Sequence, residues 1–140
     1  MKLTTKTRYA LRALIDLIIH IDEGPVQIKD ISERQEISES YLENIFLELR
    51  KKNIIKAIKG RNGGFYIERP ISDITLFDII DALNEDISLV PCVENPHICS
   101  RADNCPTRPT WVKMKKELEK ITSSISLEEL INNLQLLDSL

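Results

Sequence analysis

Three cysteines lie close together in the second half of the chain. Cys92, Cys99 and Cys105 are its only cysteines, and the residues between them are polar, without the periodic apolar spacing of a core segment. Thiolate sulfur prefers zinc, copper(I) and iron–sulfur clusters, so three thiols on one loop are typical of a soft-metal or redox site. An odd number of cysteines cannot form a closed set of disulfides. The sequence therefore predicts a binding site on this loop.

Positive charge is concentrated in one stretch of an otherwise acidic chain. The formal net charge is −3, which by itself disfavours a nucleic-acid partner. Residues 49–67, however, contain no acid. That stretch carries six bases: Arg50, Lys51, Lys52, Lys56, Lys59 and Arg61. Because clustered bases mark a surface that binds phosphate, we expect double-stranded DNA as a partner.

The spacing of apolar residues before this stretch predicts a helix-turn-helix. A first helix, capped by Thr4 or Thr5, is followed by a short helix around residues 28–35. After a turn, Ser38 is placed to cap another helix that runs to about Lys52. Two short helices joined by a tight turn are the pattern of a DNA-reading pair, in which the second helix enters the major groove.

A basic hairpin is predicted directly after this pair. Two β-prone runs, residues 54–59 and 65–67, flank a connection that holds three of the chain's four glycines. A hairpin in this position is a wing, which reaches the DNA backbone or the minor groove. We therefore expect base-edge contacts from the start of the second helix and phosphate or minor-groove contacts from the wing. The residues are Ser38, Ser40, Tyr41, Glu43 and Asn44 on the helix, and Lys56, Lys59 and Arg61 on the wing.

The rest of the chain predicts three further features. Thr75 and Asp78 form a capping box at the start of a helix, and Ser126 caps a last helix. Between them, from about Thr107, a helix carries an apolar stripe: Trp111, Met114, Leu118, Ile121 and Ile125. Because operators are usually read by symmetric pairs, we interpret this stripe as the seam of a homodimer rather than as a helix that closes the core.

The expected fold is mainly α: a winged helix-turn-helix with a small two-stranded β-wing and a long C-terminal dimerisation helix. The DNA-binding domain is expected over residues 1–72, and the cysteine loop with the dimerisation helices over residues 73–140. The longest apolar stretch, residues 11–21, contains Arg12, Asp16 and His20, so we expect no membrane span. Without a secretory signal either, we expect a cytoplasmic protein, where thiols stay reduced. No nucleophile–base pair or phosphate loop predicts an enzyme.

Taken together, these motifs resemble the IscR-type iron–sulfur cluster regulators of the Rrf2 family of bacterial transcription factors. The likeness lies in the opening residues 1–11, the helix start at 37–43, the wing at 59–65 and the three-cysteine loop. The resemblance implies a homodimer whose cysteines hold a cluster, [2Fe-2S] favoured and [4Fe-4S] possible, that tunes binding to promoters of cluster-assembly genes. It also implies that the position of Glu43 helps to separate two classes of operator.

The loop departs from the family pattern at two points. The family has five residues in each gap between cysteines, whereas six residues separate Cys92 from Cys99. The family's fourth ligand is a histidine, but the corresponding residue is Arg108, and a permanently protonated guanidinium is a very poor ligand. Relatives that sense nitric oxide use an N-terminal aspartate as fourth ligand, and Arg8 occupies that position.

Several alternatives therefore stay open for the site. The fourth ligand is one of His97, Asp103 or Glu94, a residue of the partner chain, or an exogenous molecule, and His97 has the most suitable donor atom. Two classes of protein without an iron–sulfur cluster remain as well. One is a winged-helix repressor controlled by cysteine oxidation, and the other is a module stabilised by zinc.

Overall fold

The computed structural model describes residues 3–138, so Met1 and Lys2 of the opening motif lie outside the described residues. Its helices are α1 (Thr5–His20), α2 (Ile28–Gln35), α3 (Glu39–Lys51), α4 (Leu76–Ala82), α5 (Pro91–Glu94), α6 (Arg108–Ser124) and α7 (Leu127–Asp138). The strands β1 (Lys56–Ile58) and β2 (Gly64–Tyr66) form a two-stranded antiparallel sheet. The predicted fold class, mainly α with a small β-wing, is confirmed.

Local capping sets the helix-turn-helix as the sequence predicts. The Thr4 hydroxyl accepts a hydrogen bond from the backbone N–H of Thr7 at 3.3 Å, and the Ser38 hydroxyl accepts one from Tyr41 at 3.2 Å. Between α2 and α3, Glu36 adopts a left-handed conformation (φ 56°), which ends α2 and turns the chain. The third helix ends at Lys51, one residue before the predicted end.

One hydrophobic core joins these helices to the wing and to the second half of the chain. The face of α3 opposite its polar residues is fully buried, and the Phe46 ring meets Phe65 of β2 edge-on, with centroids 5.0 Å apart. Ile74 and Ile79 enter the core from around α4, and Leu127 enters it from α7. The core is therefore continuous across residue 72, although the proposed division into two domains stays a prediction.

The wing is shorter than the β-prone runs that predict it. Ile54 and Ile55 are buried in the core, so the first strand begins only at Lys56. Val26, before α2, exchanges two backbone hydrogen bonds with Phe65, at 2.9 and 2.7 Å. These bonds extend the wing toward the helix-turn-helix and fix its direction relative to α3.

The C-terminal helices are tied to the core through the segment that begins α4. The Thr75–Asp78 capping box is present, with hydrogen bonds of 3.1 and 2.9 Å. Two backbone hydrogen bonds join this segment to the α6–α7 junction: Leu76 N to Ile125 O at 2.8 Å, and Leu127 N to Ile74 O at 2.9 Å. Within residues 3–138, no helix combines the length and the apolar character needed to cross a membrane.

A buried carboxylate connects α1 to α2. In the sequence it is noted only as an interruption of the apolar stretch 11–21. Asp16 is 3% exposed. Its oxygens accept hydrogen bonds from Arg34 Nη2 at 2.7 Å, from Arg34 Nε at 3.0 Å and from Gln35 Nε2 at 3.0 Å. Burial raises the pKa of Asp16, but these hydrogen bonds and the Arg34 charge outweigh it, so the pKa lies below its ordinary value. His20 belongs to the same cluster, since its Nδ1 lies 2.8 Å from the Asp16 carbonyl oxygen.

We expect Asp16→Asn to lower the free energy of unfolding by about 3 kcal/mol at neutral pH. This is the lower end of the range for breaking a buried ion pair, because Arg34 retains access to water. Urea denaturation measures the effect, with Asp22→Asn at an exposed acid of the next turn as the control.

The pH dependence of stability in wild type and Asp16→Asn gives a second test of the ion pair. Because folding depresses the Asp16 pKa, its contribution is complete above the unfolded value of about 3.9 and is lost as the pH falls through the folded value. The stability difference between wild type and Asp16→Asn should therefore be constant from neutral pH to about pH 5 and should shrink below about pH 4. A difference that stays the same at acid pH would contradict the assignment of the ion pair.

Candidate nucleic-acid interface and cysteine loop

The predicted DNA-reading residues occupy the exposed side of α3 and its N-terminus. Ser38, Ser40, Glu43 and Asn44 are all exposed, while the apolar face of the helix packs into the core. Tyr41 is only partly exposed, because its ring packs edge-on against Tyr9 of α1, with centroids 5.9 Å apart. The structure therefore brings together four predicted polar contacts and gives Tyr41 a packing role beside them.

Glu43 is the one acid among the predicted base contacts on α3. Among the hydrogen bonds and ion pairs of residues 3–138, none involves its side chain, so it neither caps Ser40 nor pairs with a lysine. It lines a shallow groove beside Asn44, Arg50 and Phe65. Its carboxylate is therefore presented to solvent on the same face as the other predicted contacts.

The wing presents two free bases and one paired base. Lys59 and Arg61 are exposed in the connection between β1 and β2. Lys56, in contrast, lies 2.8 Å from a carboxylate oxygen of Glu68, and this hydrogen bond raises the pKa of the lysine. Glu68 directly follows the acid-free stretch, and the hairpin brings it alongside β1. The charge of Lys56 is therefore partly neutralised, and Lys59 and Arg61 carry the wing's free positive charge.

Two glycines allow the hairpin to close tightly. Gly60 has a positive φ of 113°, a conformation that favours glycine. A Cβ at Gly63 would lie 2.1 Å from the carbonyl oxygen of Ile58, and Gly63 N donates to Gly60 O at 3.1 Å. The backbone of the wing therefore leaves no room for a side chain at Gly63.

The cysteine loop spans α5, a single 3-10 turn (Pro96–Ile98) and the irregular residues before α6. All three thiols are free: Cys92 and Cys105 are partly exposed and Cys99 is exposed. His97 is exposed in the 3-10 turn, where its backbone N–H donates to Asn95 Oδ1 at 3.2 Å. Among residues 3–138, however, no three His, Cys, Asp or Glu side chains converge closely enough to hold a metal ion.

The donor set still fits a soft metal centre chemically. Cysteine binds a metal as the thiolate. Hydrogen bonds from the Thr107 side chain and from the backbone of Thr107 and Arg108, together with the charge of Arg101, lower the pKa of Cys105. The Thr107 hydroxyl lies 3.1 Å from the Cys105 sulfur. Three accessible thiols on one loop are therefore available as ligands, although the sulfurs are not drawn together.

Arg108, at the position of the family's histidine ligand, serves the backbone instead. Its Nε donates to the Cys92 carbonyl oxygen at 3.3 Å and so fastens the start of the loop to α6. A second contact lies close by, where Lys115 of α6 forms an ion pair with Glu94. Glu94, one of the possible fourth ligands, also accepts a hydrogen bond from Ser88 Oγ at 3.0 Å. The structure thus gives Arg108 and Glu94 roles in holding the loop.

Lys6 joins three elements and is not predicted from the sequence as a site residue. Lys6 of α1 lies 2.7 Å from a carboxylate oxygen of Glu48 on α3 and donates to the Leu83 carbonyl at the end of α4. Nearby, the Thr4 hydroxyl donates to Glu85 at 2.5 Å. No local pattern marks these pairs, because their members are far apart in the sequence.

The family model for Rrf2, described as iron-dependent transcriptional regulator, matches residues 3–133. The chain therefore belongs to the Rrf2 family of transcriptional regulators. Its relatives include the HTH-type transcriptional regulator IscR of Photorhabdus laumondii, 41% identical over 99% of this chain and 84% of the relative. IscR of Xenorhabdus nematophila is 39% identical over the same shares.

Solved structures of transcriptional regulators are also similar to this chain. The structure of T. potens IscR matches with a TM-score of 0.76 and 35% identity, covering 96% of this chain and 88% of the other. CymR, the global cysteine regulator of B. subtilis, matches with a TM-score of 0.75 and 32% identity, covering 95% and 98%. The resemblance to IscR-type regulators is thereby confirmed, and these relatives are transcriptional regulators rather than enzymes.

We expect Gly63→Ala to lower the free energy of unfolding by about 1–3 kcal/mol, because the hairpin backbone must strain to separate the new Cβ from the Ile58 carbonyl. Urea unfolding measures the change. Asn62→Ala, at the exposed neighbouring position, is the control and should change stability by less than about 0.5 kcal/mol. Equal stability of Gly63→Ala and wild type would show that the connection is looser than the structure indicates.

Proposed function

We propose that this protein is a homodimeric DNA-binding regulator whose cysteine loop binds an iron–sulfur cluster, and that the state of the cluster tunes promoter binding. Promoters of iron–sulfur assembly genes are the proposed targets. The observation that carries the proposal is the pairing of two features in one chain: an exposed polar recognition face beside a basic wing, and three free thiols on one loop. Similarity to IscR over nearly the whole chain supports it.

For DNA, the proposal assigns different tasks to the helix and the wing. Ser38, Ser40 and Asn44 present hydroxyl and amide groups, which can hydrogen-bond to base edges in the major groove. Glu43 can accept a hydrogen bond from a cytosine amino group but is repelled by phosphate, so it acts mainly by rejecting sequences. Lys59 and Arg61, with Lys56 after release from Glu68, contact phosphate or the minor groove.

For the dimer, the proposal rests on the orientation of α6. Met114 and Ile121 are 42% and 56% exposed, whereas Thr122 on another side of the same helix is 6% exposed. Lys115 and Glu119, four residues apart, lie on the side that faces α4 and the loop. Two of the five stripe residues, Met114 and Ile121, are thus exposed and the other three are partly buried, while Lys115 and Glu119 face the protein's own domain. Burying an exposed apolar stripe is the usual driving force for helix pairing.

For the cluster, Cys92, Cys99 and Cys105 are the proposed ligands, with His97 as the candidate fourth. When bound, an iron–sulfur cluster would supply a centre that responds to iron supply and oxidants. The hydrogen bond from Thr107 favours the thiolate of Cys105, and Arg108 holds the backbone at Cys92. His97 lies in the turn between Cys92 and Cys99 with its side chain exposed, so its imidazole is accessible as a ligand.

A chain of contacts also connects the cysteine loop to the proposed recognition helix, α3. Glu94 is paired with Lys115 of α6, α6 packs on α4, and Lys6 joins the end of α4 to Glu48 of α3. A change in the loop would therefore act on elements that contact α3.

A second candidate function is a thiol switch without metal, in which oxidation of two cysteines changes DNA affinity. It is favoured by the observation that all three thiols are free and at least partly exposed, as oxidation also requires. Metal analysis separates the candidates, because an iron–sulfur protein is coloured and contains iron and acid-labile sulfide, while a zinc or thiol protein is colourless.

We expect protein purified without air to contain iron and acid-labile sulfide, and expect Cys92→Ala, Cys99→Ala and Cys105→Ala each to lose them, because every replacement removes a thiolate ligand. Metal and sulfide analysis with absorption spectra measures the loss. A triple cysteine variant that still holds stoichiometric iron and sulfide would rule out the loop as the site.

Two further variants address the fourth ligand. His97→Ala should lower the cluster content, whereas Arg108→Ala, which removes a hydrogen bond but no ligand, should retain it. Full retention in both would place the fourth ligand outside these two positions.

We also expect Arg61→Ala to weaken binding to every duplex and to reduce the slope of log affinity against log salt by about one, because one phosphate contact and its counterion release are lost. Binding titrations at several salt concentrations measure the slope. Lys113→Ala, an exposed base on α6, removes the same charge away from the wing and should leave the slope unchanged. An unchanged slope in Arg61→Ala would mean that the wing does not touch the backbone.

A further inference from the structure

We propose that Leu47 is a specificity-determining residue of the DNA interface and that it reads the C5-methyl group of thymine. The inference rests on the proposed function, because it requires that the exposed face of α3 lies in the major groove.

The position of Leu47 follows from helical geometry. Residues three and four apart share one face of an α-helix, so Leu47 lies one turn beyond Asn44 and Glu43. Leu42, Ile45, Phe46 and Leu49 occupy the opposite, buried side. Leu47 is 50% exposed and lies on the C-terminal side of the predicted base contacts, on the same face of α3.

Leu47 is chemically unlike the other exposed residues of its helix. The other exposed residues of α3 are all polar or charged: Glu39, Ser40, Glu43, Asn44, Arg50 and Lys51. Leu47 lines the shallow groove together with Ile28, Glu43, Asn44, Arg50 and Phe65. Of the three apolar residues in this groove, Leu47 is the exposed one, since Ile28 and Phe65 are half-buried. It therefore offers a small apolar contact beside polar and basic groups rather than an extensive apolar protein surface.

The major groove supplies one such group. Thymine carries a methyl group at C5, whereas the other base edges there present hydrogen-bond donors and acceptors. A leucine side chain makes no hydrogen bond, so it stabilises a methyl group and leaves donors and acceptors unpaired. Arg50, three residues after Leu47 on the same face of α3, lines the same groove and is placed to contact phosphate. Leu47 would thereby favour thymine at one or two positions of each half-site.

Replacing thymine by uracil isolates this contact, because uracil differs only by lacking the methyl group. The probe is a duplex recovered with wild-type protein by selection from a random pool, with each thymine in turn replaced by deoxyuridine. We expect uracil at one or two positions to weaken wild-type binding about fourfold, which corresponds to the burial of one methyl group.

The variants should separate as follows. Leu47→Ala should bind the thymine and uracil duplexes equally, while Leu47→Met, which keeps an apolar side chain, should retain the preference for thymine. Ile19→Ala, at a similarly exposed apolar residue on α1, is the control and should behave like wild type. Urea unfolding verifies that each variant is folded.

Three results would overturn the inference: a recovered motif without thymine, wild-type binding unaffected by uracil at every position, or the same uracil profile in Leu47→Ala. In each, DNA binding itself persists, so the proposed function survives. Failure of the wild-type protein to retain any duplex from the pool would instead overturn the proposed function together with this inference.

Discussion

The Asp16 carboxylate is the constraint on which the DNA-reading part of the structure depends. A buried carboxylate requires donors, and Arg34 and Gln35 at the end of α2 supply them. Arg12, one turn before Asp16, donates to the Gln35 carbonyl and stacks over the Tyr9 ring, 5.3 Å from its centroid. The end of α2 is therefore fixed to α1 by polar contacts in addition to apolar packing. Because the turn to α3 begins there, these contacts also set the direction of the recognition helix.

The wing and the C-terminal half are joined to α1, α2 and α3 in the same manner, by a few hydrogen bonds between distant segments. Val26 and Phe65 exchange backbone hydrogen bonds, so the wing moves together with the chain that leads into α2. The start of α4 is bonded to the α6–α7 junction, and Lys6 bonds to both α3 and the end of α4. Together these links connect α3, through α1 and α4, to α6, which holds the cysteine loop.

What could be predicted from the sequence is what local physics determines. The caps at Thr4, Ser38 and Thr75 and the apolar face of α3 are set by residues within a turn of one another, and all are present. Pairings across long separations carry no such signal. Lys56 reads as a free base until the hairpin brings Glu68 beside it. The cysteine loop shows the limit most clearly, since clustering in sequence identifies three possible ligands but does not determine whether their sulfurs converge.

The orientation of α6 bears on the two interpretations of its apolar stripe, the proposed dimer seam and a helix that closes the core. A helix that closed the core would turn its apolar residues inward, yet Met114 and Ile121 are among the exposed large hydrophobic residues of the chain, and Lys115 faces inward toward Glu94. These two exposed residues favour a partner helix over core closure, although the other three residues of the stripe are partly buried. The inward polar side is also the side that holds the cysteine loop, through Lys115 and through Arg108 at the start of the helix. One helix therefore holds the loop on one side and exposes Met114 and Ile121 on another, so that a shift of the loop would also displace the proposed dimer seam.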